Sequence, residues 1–173
     1  MDPLTRLLAI EGVRLTKAHY ELSVLKQDWA WYASLFTEDC HWDEGGSWPA
    51  RHPVTGEWDS TGANGVSYET FEGLNKVGGP WPKKGRQAIL DTLTAMPDIG
   101  MYHEIFNAEI EILDEDNARA IWPYKDILHF PDGGPIKRLH GWGHYHERYV
   151  REGERWLISH LTVTRRFLYA WPD

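Results

Sequence analysis

Three histidines, and the side chains that alternate with them, have the types and spacing to do chemistry. His103 stands near the start of the run "MYHEIFNAEIEIL", and His144 and His146 form a His-x-His pair within "GWGHYHERYV". In an extended chain successive side chains point to opposite faces. Trp142, His144, His146 and Arg148 therefore share one face of their run, with Tyr145, Glu147 and Tyr149 on the other. Trp122, Tyr124 and Asp126 share a face of the preceding run, as do His103, Ile105 and Asn107 in the first. A row of Trp, His, His and Arg is too polar for a core face and too aromatic for a solvent face, so it reads as the wall of a pocket. Three chemistries fit these histidines. Neutral His103 can accept a proton while a nearby Tyr or His polarises or protonates a departing oxygen. A His-x-His pair with a third His can ligate a metal, although no carboxylate stands at a complementary ligand spacing, and no metal is expected. Each histidine can also be structural, satisfied by a carbonyl or a carboxylate.

The elements that must position these residues follow from periodicity. Asp2-Pro3 supplies a cap and a first-turn proline for a helix over 2–26, in which Leu4, Leu7, Leu8, Val13, Ala18, Leu22 and Leu25 recur at roughly helical spacing. Lys17 and Tyr20 point in similar directions from it. Asp28 caps a short second helix, "WAWYASLF", and "CHWD" is a short strand. Lys84 to Met96 returns to helical spacing. Four strand-like runs follow, 101–113, 118–130, 137–151 and 155–169, joined by "DEDN", "PDGGP" and "EGE". Helices first and strands after predict an α+β domain with a curved antiparallel sheet. The stretch from 44 to 82, rich in Gly, Pro, Ser and Trp and without a sustained period, reads as one long insertion over the pocket mouth or a neighbouring subunit.

Composition narrows the partners. A chain of 173 residues suits a single domain over 1–173. Its formal net charge of -8 would repel a phosphate backbone, so nucleic acid is not an expected partner. No run approaches the roughly 18 apolar residues of a membrane helix, and a cytoplasmic, soluble protein is expected. A lone cysteine, Cys40, excludes an internal disulfide and a thiolate cage. Ten tryptophans exceed the needs of one core and point to an aromatic or otherwise hydrophobic ligand.

The opening "LLAIEGVRLTKAHYELSVLKQDWAWYASLFTEDCHWD" and the ending "LHGWGHYHERYVREGERWLISHLTVTRRF" resemble SnoaL-like proteins of the nuclear-transport-factor-2-like superfamily. The resemblance covers both ends and the His103 run, leaving 44–82 outside. It implies a cone-shaped α+β barrel holding a hydrophobic ligand, cofactor-independent chemistry, and a homo-oligomer, with a trimer favoured over a dimer. It also implies that His103 is the base and that Tyr20 assists departure of the leaving group. The expected activity is that of a lyase acting on a hydrophobic, hydroxylated aromatic molecule, by dehydration or by retro-aldol cleavage such as release of formaldehyde from a diaryl lignin fragment. A ketosteroid-isomerase-like enzyme and a non-catalytic binding module are the alternatives. His146, His144, Trp142, Trp122, Tyr124, Asn107, Arg148 and Lys17 are the expected substrate contacts. One departure stands out. The family places an Asp five residues after the Tyr to hold the histidine, and this chain has Leu25 there. Lys17, Asp43, Asp126 and Glu147 are left as alternative partners.

Overall fold

The computed structural model describes residues 1–44, 81–96, 98–133 and 137–171. The body of the expected insertion, with Trp48 and Trp58, lies outside the described residues. The helix α1 spans Pro3–Lys26 and begins as its sequence dictates: the Asp2 carboxylate accepts hydrogen bonds from the Leu4 and Thr5 amides at 3.0 and 3.1 Å. It ends at Gln27, whose left-handed φ of 52° turns the chain toward α2, Trp29–Ala33, capped by Asp28. Strands β1 (Phe36–Asp43) and β2 (Lys83–Lys84) flank the undescribed stretch, and α3 (Arg86–Ala95) follows. The remaining strands are β3 (Gly100–Ile105), β4 (Glu109–Ile112), β5 (Asn117–His129), β6 (Arg138–Glu152) and β7 (Arg155–Trp171).

The strands form one curved, unclosed sheet in the order β2-β1-β7-β6-β5-β3, with β4 also paired to β5. Hairpin pairing of β5 through β7 is antiparallel, as the turn chemistry predicts, but β1 runs parallel to β7, so the sheet is not a pure meander. Register shifts at Trp142/Gly143 and Arg148/Tyr149 bend β6 against β7. The helices cover the concave side. There α1 crosses β7 closely, because Gly12 has no side chain to strike Trp156: a methyl group at position 12 would lie 2.5 Å from Trp156 Cδ1. Thr16 Oγ1 donates to the Trp156 carbonyl at 2.5 Å beside this crossing.

One expectation is corrected by this architecture, and the face of α1 that packs inward is decided by it. The long run 101–113 is two strands with a break at 106–108, where the Phe106 amide bonds to the Pro123 carbonyl at 2.9 Å. The period-2 argument that joined Asn107 to His103 fails across that break, and Asn107 is exposed. In α1 the face against the sheet carries Ala9, Val13, Thr16, Lys17, Tyr20, Ser23 and Val24. Most of the leucines that mark the helical period lie on its other side: Leu4, Leu7, Leu8, Leu22 and Leu25 are all exposed.

Candidate active site

A cavity of about 160 Å³ lies between the helices and the concave face. Its apolar wall includes Val24, Trp29, Trp42, Trp81, Leu93 and Met101. Trp42 and Trp81 meet edge-on with ring centroids 4.9 Å apart, which ties the two ends of the undescribed stretch to the pocket. Polar groups enter this wall in one sector: His103 from β3, Tyr124 and Asp126 from β5, Tyr145 from β6, Arg165 from β7, Glu44 after β1, and Tyr20 and Tyr32 from the helices.

Strand register explains how they converge. His103 stands directly opposite Asp126 in the β3–β5 pair, and Asp126 stands opposite Gly141 in the β5–β6 pair. Directly opposed side chains share a face about 5 Å apart. The Arg165 guanidinium closes the group through an ion pair with Asp126, and both side chains are almost fully buried. Gly141 leaves the room this pair occupies: a methyl group there would overlap Asp126 Oδ1 and lie 2.7 Å from Arg165 Nε. Gly141→Ala is therefore expected to push the pair apart and destabilise the protein by about 1–3 kcal/mol, read as a lower midpoint in urea denaturation. A midpoint equal to that of the native protein would mean that the glycine is not needed for this packing.

The electrostatics of the sector are those of a dry site. Burial holds His103 well below the ordinary imidazole range, at about 4, with Asp126 opposing that shift, so His103 is neutral at physiological pH. Its Nδ1 lies 3.5 Å from the Tyr145 hydroxyl. If Nδ1 carries the hydrogen, Nε2 is the nitrogen with a free lone pair. Burial also raises Tyr20, Tyr32, Tyr124 and Tyr145 above the usual phenol range, which keeps them as neutral donors. Burial pushes Glu44 up to about 7, against the pull of Arg165. Arg165 remains a cation despite its burial, because Asp126 beside it holds the guanidinium above its ordinary value. Asp126 Oδ1 has no hydrogen-bond partner among the described residues, so it is available to a donor arriving in the cavity.

Beneath the tyrosines lies a second, closed group. Lys17 Nζ sits 3.8 Å from the Tyr20 ring centroid and 3.7 Å from that of Tyr145, and it bonds to Glu147 at 2.6 Å. Glu147 also accepts from the Tyr149 hydroxyl, which in turn accepts from Trp122 Nε1 at 3.1 Å. This network fixes the two ring faces that border the cavity.

Of the residues expected from sequence, His103, Tyr20 and Tyr124 line the cavity. Lys17 and Trp122 are buried on its side of the sheet but belong to the closed network behind it. Asn107 is exposed at the β3–β4 break. Trp142, His144, His146 and Arg148 are absent from the cavity: the alternation along β6 holds, but its inward face is Gly141, Gly143, Tyr145, Glu147 and Tyr149. His146 instead meets Thr164 Oγ1 at 3.1 Å on the outer face, and Arg148 is exposed. The physical reason is charge pairing. Glu147 goes inward because Lys17 meets it there, and an unpaired reading of the sequence assigns that carboxylate to water. Register could have corrected the choice, since inward Trp122, Tyr124 and Asp126 oppose Tyr145, Gly143 and Gly141. Sequence reasoning missed Arg165, Glu44 and Tyr145 as site residues, and left Asp126 unranked. Leu25 points outward, 59% exposed, while Val24 faces the cavity. An acid at position 25 would not reach His103 in this helix orientation. Among the described residues no three His, Cys, Asp or Glu side chains are placed to hold a metal ion.

A curved open sheet covered by N-terminal helices over a His and Tyr cavity defines a cone-shaped α+β fold. The chain belongs to the SnoaL-like domain family, whose sequence model matches residues 5–162, within the nuclear-transport-factor-2-like superfamily. Solved structures repeat the fold at low identity. A candidate scytalone dehydratase from Novosphingobium aromaticivorans has a TM-score of 0.70 at 16% identity, covering 98% of this chain and 91% of that one. A hexachlorocyclohexane dehydrochlorinase, LinA type 2, has a TM-score of 0.69 at 15% identity, covering 99% and 95%. The beta subunit of a candidate aromatic-ring-hydroxylating dioxygenase from N. aromaticivorans has 0.64 at 17%, covering 97% and 99%. No curated protein sequence matches the chain. No helix among the described residues is long and apolar enough to cross a membrane.

Proposed function

We infer that the protein is a lyase that removes water from a hydrophobic, hydroxylated ring compound without a cofactor. The observation that carries this reading is His103 standing opposite Asp126 in an aromatic cavity lined by Tyr20, Tyr32, Tyr124 and Tyr145, where burial favours the neutral imidazole. His103 Nε2 takes a proton from the carbon beside the hydroxyl-bearing carbon. The C–H electron pair forms the new double bond, the C–O bond breaks, and Tyr20 donates its proton to the departing hydroxide, giving water. Asp126 stabilises the imidazolium that forms, in place of the family carboxylate missing at Leu25. Return of the proton from His103 to Tyr20 resets the site. Tyr124 and the tryptophans hold the ring, and exclusion of water strengthens each of these interactions. Names of similarly folded proteins, a scytalone dehydratase and a dehydrochlorinase, support elimination as the reaction type. Retro-aldol cleavage of a diaryl substrate uses the same base on a hydroxyl proton and is the second outcome to look for.

The test is a mass-spectrometric screen of neutral hydroxylated mono- and bicyclic compounds against the purified protein, with tryptophan fluorescence reporting binding. Loss of the mass of water from at least one bound compound is the expected result. Release of formaldehyde would redirect the assignment to carbon–carbon cleavage. Tight binding of many compounds with conversion of none would replace the lyase by a binding module.

A further inference from the structure

Two polar atoms on the β5 wall of the cavity have no hydrogen-bond partner among the described residues: the Tyr124 hydroxyl and Asp126 Oδ1. Both side chains are 2% exposed, so bulk water does not serve them. Buried polar groups are ordinarily bonded, and one that is not asks for a partner. The two residues lie on the same face of β5, and the residues opposite them on β6 are Gly143 and Gly141. Glycine offers no side chain to satisfy or cover its neighbour. Asp126 gives its other oxygen, Oδ2, to the Arg165 guanidinium. Arg165 also neighbours Tyr124, but a guanidinium can only donate, so the proton of the phenol remains to be given.

We propose that Tyr124 and Asp126 form a subsite for a free hydroxyl group, so that the substrate carries a second hydroxyl besides the one that leaves. The pair is complementary to that group. A carboxylate oxygen only accepts and the phenol has a proton to donate, and a hydroxyl meets both: it gives its proton to Asp126 Oδ1 and accepts from Tyr124. A methyl ether or a ketone can use Tyr124 alone and leaves the carboxylate oxygen unserved. The bond to the charged acceptor is the stronger of the two. A hydroxyl held in this way is not the departing one. Donation to a carboxylate draws its proton away, whereas departure from carbon needs a proton delivered to the oxygen. The leaving hydroxyl belongs at Tyr20, which reaches the cavity from α1. Tyr145 neighbours both tyrosines, with ring centroids 5.5 Å from Tyr20 and 4.3 Å from Tyr124. His103 stands opposite Asp126, so a ring anchored at the subsite lies beside the base. The count of two hydroxyls rests on the lyase reading, while the subsite itself rests on the two unpartnered atoms.

Isothermal titration calorimetry of the native protein with 4-ethylphenol, 4-ethyltoluene and 4-ethylanisole tests the subsite without any turnover. A purely apolar wall favours the hydrocarbon, since a hydroxyl buried without partners loses its hydration. A site built for a hydroxyl reverses that order. 4-Ethylphenol is expected to bind at least about tenfold more tightly than either of the others. The ether isolates the bond to Asp126, because it can still accept from Tyr124. Tyr124→Phe isolates the other bond. It removes a hydroxyl that makes no hydrogen bond among the described residues, so the variant is expected to fold as the native protein does. Its affinity for 4-ethylphenol should fall by about three- to tenfold, with that for 4-ethyltoluene unchanged. 4-Ethyltoluene binding as tightly as 4-ethylphenol would overturn the proposal, as would no binding of 4-ethylphenol up to its solubility limit. Equal affinity for 4-ethylanisole and 4-ethylphenol, or a Tyr124→Phe variant that holds the phenol as the native protein does, would overturn it equally. Preference for the hydroxyl with no conversion of any diol would keep the subsite and retire the lyase. Conversion of compounds with a single hydroxyl, as fast as that of diols, would keep the lyase and overturn the second hydroxyl.

Discussion

His103→Ala is expected to lower kcat/KM by about 10²- to 10⁴-fold on any compound that the native protein converts, with ligand binding within a few-fold of native. Among the described residues that line the cavity, the imidazole is the one group both neutral and basic at physiological pH, because burial holds it at about 4. Native activity should accordingly rise with pH through about 4 and reach a plateau on this limb well before neutrality. Stability should carry the same signature. A group whose folded value is depressed contributes stability above its unfolded value, about 6.5 for His103, and that contribution is lost as pH falls toward about 4. Urea denaturation midpoints of the native protein should therefore fall more steeply between those pH values than midpoints of His103→Ala. Turnover by His103→Ala equal to native would remove His103 from the chemistry, and parallel pH dependences would mean that it is not held neutral by the fold.

Lys17→Met is expected to destabilise the protein by about 3–5 kcal/mol, the cost of leaving a buried charge without its partner. The side chains of Lys17 and Glu147 are 2% and 0% exposed, so solvent cannot take over the role of the lost ammonium. Burial lowers Lys17 from its ordinary range while Glu147 opposes the shift, which marks the pair as mutually dependent. Lys17→Met/Glu147→Gln removes both charges and should recover most of the loss, leaving Tyr149 a neutral acceptor for its hydroxyl proton. Both variants can be compared by equilibrium denaturation in urea. A single variant within about 1 kcal/mol of native would contradict a buried, paired ammonium. The same substitution withdraws the cation from the faces of Tyr20 and Tyr145, so the single and double variants should share any change in ligand affinity even though their stabilities differ.

Much of the frame is local and was legible as such. Asp2 and Asp28 cap their helices because a carboxylate at those positions satisfies free amides, whatever the rest of the chain does. β5 pairs antiparallel with β6, and β6 with β7 across "EGE", and His103 falls on a strand that lines the cavity. The alternation along β6 was also legible, but its sense was not. Period 2 separates two faces without saying which is inward, and the decision between Trp142, His144, His146 and Tyr145, Glu147, Tyr149 rests on a lysine 130 residues earlier.

What the amino-acid order determined by itself was the succession of helices and strands, the family, and the place of one basic histidine. Tertiary structure alone decided its company. Asp126 became the facing carboxylate through strand register, Arg165 arrived from the last strand, and Gly141 gave them room. The rotation of α1 turned Leu25 to solvent and Tyr20 to the cavity. Each of these depends on pairing between segments far apart in sequence, where burial of one charge is acceptable only because another is buried beside it.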